Sequence, residues 1–101
     1  MSERRVLLAE IVAIPGCEGR VADLLARLAH DVRAEPGNVS FEPSTVERND
    51  SHFLIYEEYR DEDAFAAHLG AEHTVEFNRV VATLAEGGRS ELTWLHPLIN
   101  T

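Results

Sequence analysis

The hydrophobic positions change period along the chain, and each change marks an element. Residues 5–12, Arg-Val-Leu-Leu-Ala-Glu-Ile-Val, are apolar at odd and even positions alike, which predicts a strand covered on both faces. Pro15-Gly16 ends it. From Glu18 to Arg33 the apolar residues fall at Val21, Leu24, Leu25, Leu28 and Val32, the spacing of one helical face. Glu18 and Asp23 lie early in that segment and Arg27 and Arg33 late, as the helix dipole favours.

Glu35-Pro36-Gly37-Asn38 reads as a turn, with proline fixing φ and glycine allowing positive φ. A second strand is predicted over 39–47, and Pro43 within it demands an edge position or a bulge. Arg48-Asn49-Asp50-Ser51 reads as a polar hairpin connection to a third strand over 52–59, again apolar on both faces. Asp61 is a candidate N-cap for a helix from Glu62. Gly70 predicts a kink or break before a second helical piece over 72–85, closed by Gly87-Gly88. The last strand is predicted over 90–96, with Leu92 and Trp94 on one face and Thr93 and Leu95 on the other.

This order, β-α-β-β-α-β, is the ferredoxin-like α+β pattern, a single domain over 1–101. It implies a four-stranded antiparallel sheet in the order 4-1-3-2, with the helical segments on one face. Two same-side helices cannot cover a second apolar face, to which Val6, Leu8, Ile55 and Leu92 are assigned. A partner subunit, a ligand pocket or both must do so, and at least a homodimer, a dimeric α+β barrel, is expected.

Composition narrows the function classes. Hydrophobic residues make up 45% of 101 and charged residues 27%, ordinary globular usage. Eighteen acidic residues against nine basic ones give −9, and no basic run exists, so neither nucleic acid nor an anionic membrane is an expected partner. Cys17 is the only cysteine, which leaves no internal disulfide, CxxC motif or thiolate-rich zinc site. No apolar run approaches a membrane span and no leader pattern opens the sequence, so a cytoplasmic enzyme or binding domain is expected.

The nucleophile-elbow, phosphate-loop, dinucleotide and zincin motifs are all missing, leaving histidines and carboxylates near apolar faces. His68 borders the apolar stripe of its helix and reads either as a general base at a pocket rim or as a half-buried surface histidine. His73 follows the Gly70 break, which could aim it into a cleft or leave it bonded to local backbone. On a regular helix these two histidines lie about 140° apart, and no third ligand has suitable spacing, so no metal site is expected. Glu57 lies between Ile55 and Tyr59 on one strand face, and Glu10 between Leu8 and Val12 on another. Each is either a partly desolvated proton acceptor or an ion-paired or exposed carboxylate. Tyr59 and Trp94 are core or interface aromatics whose flat rings would also suit an aromatic ligand.

The run Glu35-Pro36-Gly37-Asn38-Val39-Ser40-Phe41, the run from Phe53 through Tyr59 to Phe65, Ala67-His68-Leu69 and Glu72-His73 together resemble the antibiotic biosynthesis monooxygenase domain family. Ala9-Glu10-Ile11-Val12 and Pro15-Gly16 fit as well, so the resemblance covers nearly the whole chain. It implies a ferredoxin-like dimer with a cavity between the sheet and the second helix. Many members are cofactor-independent oxygenases of quinols or polyphenolic polyketides. The family's strand-3 glutamate falls on Glu57, its Trp/Tyr on Tyr59 and its helix histidines on His68 and His73.

In the haem-degrading branch, the Asn, Trp and iron-binding His positions fall on Ala9, His68 and Asn78, so the iron ligand is missing. The quinol monooxygenase branch and the branch that isomerises a phosphorylated autoinducer fit better. The resemblance therefore implies a cofactor-free oxygenation by O2, with His68, His73 or Glu57 as base and Tyr59 at the substrate, and the residue pattern adds Glu10 and Trp94 as expected substrate contacts. No flavin, haem or stoichiometric metal is expected. An isomerase and a non-catalytic dimeric ligand-binding domain are the alternatives.

Overall fold

The computed structural model describes residues 3–99. The elements follow the order β1 (Arg5–Val12), α1 (Glu18–Arg33), β2 (Asn38–Val46), β3 (Asn49–Tyr59), α2 (Glu62–Gly70), α3 (Glu72–Val81) and β4 (Glu91–Leu95), with a short 3-10 turn at Glu86–Gly88. The four strands form one antiparallel sheet ordered β2-β3-β1-β4. This is the expected ferredoxin-like topology, and Pro43 sits in the edge strand β2, where its missing N–H costs no ladder bond. Among the described residues no helix is long and apolar enough to cross a membrane.

Two boundaries and one turn glycine differ from expectation. The β2–β3 connection is tighter than the four residues 48–51, because Arg48 adopts φ 66° and closes the hairpin, extending β3 back to Asn49. The last helix stops at Val81 rather than running to 85. Ala85 instead forms an isolated bridge to Ala13, and Gly87 and Gly88, at φ 75° and 73°, shape the 3-10 turn beyond it. Gly37 is not at positive φ, and a different constraint holds it. A Cβ there would collide with the Ala64 Cβ, so glycine lets the turn approach α2 closely. That approach is sealed by the Arg60 N–H donating to the Gly37 carbonyl at 2.8 Å.

Strand pairing divides the side chains cleanly. Leu7 opposite Glu57, Ala9 opposite Ile55 and Ile11 opposite Phe53 face the helices. There they pack with Val21, Leu25, Leu28 and Val32 of α1 and with Phe65, Phe77 and Val81. The opposite face carries Val6, Leu8, Glu10 and Val12 against Glu58, Tyr56, Leu54 and His52. Ile55 and Leu92 therefore do not belong to the open face, as assigned above. Both pair with Ala9, and all three point toward the helices.

The Asp61 side chain caps α2, accepting from the Ala64 N–H at 2.8 Å. The break between α2 and α3 falls on one extended residue, Ala71 (φ −67°, ψ 142°), directly after Gly70. That single residue changes the helix direction and decides where His68 and His73 point.

Candidate active site

A cavity of about 100 Å³ lies between the sheet and the helices. Its walls are mostly aliphatic and aromatic, and its polar groups are Glu57, His68, Thr74, Asn78 and Ser90. Glu57 reaches it from the helix-facing side of β3, His68 from α2, and Thr74 and Asn78 from α3. Glu57 and His68 are only 7% and 6% exposed, so both are held almost entirely out of water.

The two groups are fixed from behind. Glu35, in the turn after α1, accepts from His68 Nδ1 at 2.9 Å and from His73 Nε2 at 2.5 Å, both on Oε2. A carboxylate acceptor requires the proton on His68 Nδ1, which leaves the Nε2 lone pair free. That Nε2 lies 3.9 Å from Glu57 Oε1. Glu57 in turn accepts a 2.7 Å hydrogen bond from the Tyr59 hydroxyl. The Tyr59 ring also packs on the His68 imidazole, with centroids 4.8 Å apart.

Burial dominates the protonation of the pair. It pushes the Glu57 carboxyl up to about 7, with the Tyr59 hydrogen bond opposing and the nearby Glu35 carboxylate reinforcing the rise. Burial also drives His68 below its ordinary value, with the hydrogen bond to Glu35 and its charge pulling the other way. The Tyr59 hydroxyl is pushed up by burial and by Glu57, so it remains a donor. Near neutrality the favoured state is a neutral His68 facing a substantially protonated Glu57. The site therefore presents a base and an acid side by side in an apolar chamber.

Of the six residues singled out from the sequence, the structure brings His68 and Glu57 to the cavity. Tyr59 lies behind Glu57 and positions it. His73 reaches Glu35 but points into a groove between α1 and α3. Trp94 stacks edge-on against Phe65 at 4.9 Å and carries the Arg5 guanidinium 4.0 Å above its ring, at the outer side of the cavity wall. Glu10 sits on the opposite sheet face, 3.6 Å from His52, and does not join the site. Sequence reasoning missed Glu35, whose partners are 33 and 38 residues away. The available signal was its place beside Pro36-Gly37, a turn whose glycine is required by packing on α2.

The ferredoxin-like fold agrees with comparison to known proteins. The sequence model of the antibiotic biosynthesis monooxygenase family matches residues 5–88, and the chain belongs to that family. PA3566 from Pseudomonas aeruginosa is 27% identical over 98% of both chains, with a TM-score of 0.89. Rv0793 from Mycobacterium tuberculosis is 22% identical, with a TM-score of 0.88 over 97% of this chain and 98% of its own. A structure named as an antibiotic biosynthesis monooxygenase is 18% identical, with a TM-score of 0.86 over 94% of this chain and 99% of its own. The last two likenesses are of fold alone. Among curated proteins no sequence matches.

Proposed function

We propose that the protein is a cofactor-independent monooxygenase that oxidises a small quinol or related hydroxyaromatic with O2, acting as a cytoplasmic homodimer. The observation that carries this reading is the His68 Nε2 lone pair aimed into the cavity opposite Glu57, with Glu35 and Tyr59 fixing the two groups. His68 takes the phenolic proton, and the resulting aryloxide is a far better electron donor to O2. The acidic form of Glu57 then supplies a proton to the reduced oxygen. For a hydroquinone, one oxygen atom enters the ring and the other leaves as water. The substrate supplies all four electrons and becomes a hydroxyquinone. The protein contributes the base, the acid and a chamber that excludes water.

Cavity size and charge favour a compact, uncharged substrate. At about 100 Å³ the chamber is smaller than the roughly 150 Å³ that accommodates benzene, so a one-ring diol enters with a small outward shift at the rim, where Leu69 and Leu92 are half-exposed. Among the described residues no arginine lines it, which argues against a phosphorylated substrate and hence against the autoinducer isomerase.

The open sheet face, with Val6, Leu8, Val12, Leu54 and Tyr56, is in this reading covered by a second copy, burying about 1,200–2,000 Å² in total. A compact monomer by light scattering at micromolar concentration would remove that part of the proposal. The reaction is tested with a panel of one- and two-ring quinols under labelled oxygen. One labelled atom in the organic product is expected. Label in water alone, or turnover that proceeds without oxygen, would sink the oxygenase reading.

A further inference from the structure

We propose that Glu35, His68 and His73 form a binding site for one divalent transition-metal ion of the zinc or cobalt class, and that occupying it silences His68 as a base. The second half of this statement rests on the function proposed above; the first does not.

The sequence argues against such a site, because two histidines five residues apart diverge on a regular helix and lack a third partner. The fold removes both objections. The extended Ala71 swings α3 relative to α2, and the turn pressed onto α2 through Gly37 brings in Glu35. One ligand atom from each of the three residues then lies within 4.8 Å of the others, and His68 Nδ1 and His73 Nε2 both already meet Glu35 Oε2.

Two imidazoles and one carboxylate are a donor set suited to zinc and to neighbouring divalent ions. Metal–ligand bonds of about 2.0–2.2 Å place donors about 3.3 Å apart in a tetrahedron. The present separations from Glu35 Oε2 are 2.9 and 2.5 Å and the donor set spans up to 4.8 Å. The ion would replace two hydrogen bonds, with the carboxylate backing off by less than an ångström and the widest pair of donors closing by about 1.5 Å. The His73 side chain is 25% exposed and opens onto the groove between α1 and α3, a space of about 380 Å³. Arg20 and Arg27 line that groove together with Asp31 and Glu76. It offers an entry path and room for a water ligand.

Metal on His68 Nδ1 would have a chemical consequence. The neutral imidazole keeps one proton, and with Nδ1 occupied that proton must sit on Nε2. The atom facing the cavity then becomes a donor and cannot accept the substrate proton.

The test is titration of the chelator-stripped full chain with cobalt(II) chloride, read by visible absorption and by equilibrium dialysis. Saturation at one ion per chain is expected, with affinity reduced by ~10-fold or more in His73→Ala and in Glu35→Gln. His52→Ala, which removes the separate His52–Glu10 pair, should bind as the parent does. No saturable binding, undiminished binding in both ligand variants, or loss of binding in His52→Ala would overturn the site. With a quinol substrate, cobalt should inhibit the parent and spare His73→Ala. Stoichiometric binding with unchanged turnover would keep the site and overturn the silencing.

Discussion

His68 Nε2 and Glu57 Oε1 face each other 3.9 Å apart across the inner end of an apolar cavity, each anchored on its far side by a different residue. The gap is too long for a direct hydrogen bond. A substrate hydroxyl or an oxygen species placed between the two groups could be contacted by both. Burial raises the proton affinity of Glu57 and lowers that of His68, so the acidic proton is favoured on Glu57 over His68 Nε2.

Glu57 predicts a distinctive pH dependence of stability. Its folded value of about 7 lies above its ordinary 4.5, so the folded state binds the proton more tightly than the unfolded state. This contribution is fully present below pH 4.5 and is lost as pH rises to about 7. The loss amounts to about 3 kcal/mol. Glu57→Gln cannot ionise, so it should be more stable than the parent by that order at pH 8 and close to it at pH 4.5. Urea unfolding of both chains at the two pH values, with chelator present, checks this. A difference that does not change with pH would show that Glu57 is not desolvated.

Tyr59→Phe isolates the anchor of Glu57. The ring is fully buried and its hydroxyl donates to Glu57 at 2.7 Å, so the variant keeps the packing and loses one buried bond. A stability cost of about 1–3 kcal/mol is expected. Because that hydrogen bond holds the Glu57 value down, its removal should raise the value further. Carboxyl titration followed by isotope-edited infrared spectroscopy would detect the change; an unchanged Glu57 titration contradicts the assignment.

Gly37→Ala tests how Glu35 is delivered. The new methyl would strike Ala64, so the turn must move away from α2 and carry Glu35 with it. Overpacking of this kind costs about 1–3 kcal/mol. The His68 Nδ1 proton resonance should lose its downfield, carboxylate-bonded position. Gly37→Ala together with Ala64→Gly should restore both, and failure to restore would show that the turn is held elsewhere.

The fold was legible because its signals are local. The stripe Val21–Val32, the Asp61 cap and Pro43 in an edge strand each act within a few residues. Strand parity also placed Glu57 with Ile55 and Tyr59 correctly on one face. The distribution of Val6, Leu8, Ile55 and Leu92 between faces was not legible, because it depends on register between strands distant in sequence. The same limit hid Glu35, whose role comes from a turn docking on α2. His68 looked like a helix-border residue and is in fact buried, because α3 closes over it after the Ala71 break. Its replacement by alanine should therefore cost about 1–3 kcal/mol, more than a surface histidine would.

The central claim is that His68 is the base of a cofactor-free oxygenation and His73 is not. It is tested by oxygen consumption of the metal-stripped protein with a one-ring quinol, comparing the parent, His68→Ala and His73→Ala. The parent should consume oxygen without added flavin, haem or metal. His68→Ala should fall by ~10²–10⁴-fold while remaining folded, and His73→Ala should stay within about tenfold of the parent. Near-parental oxygen uptake by folded His68→Ala, or no uptake by the parent with any quinol, would contradict the account.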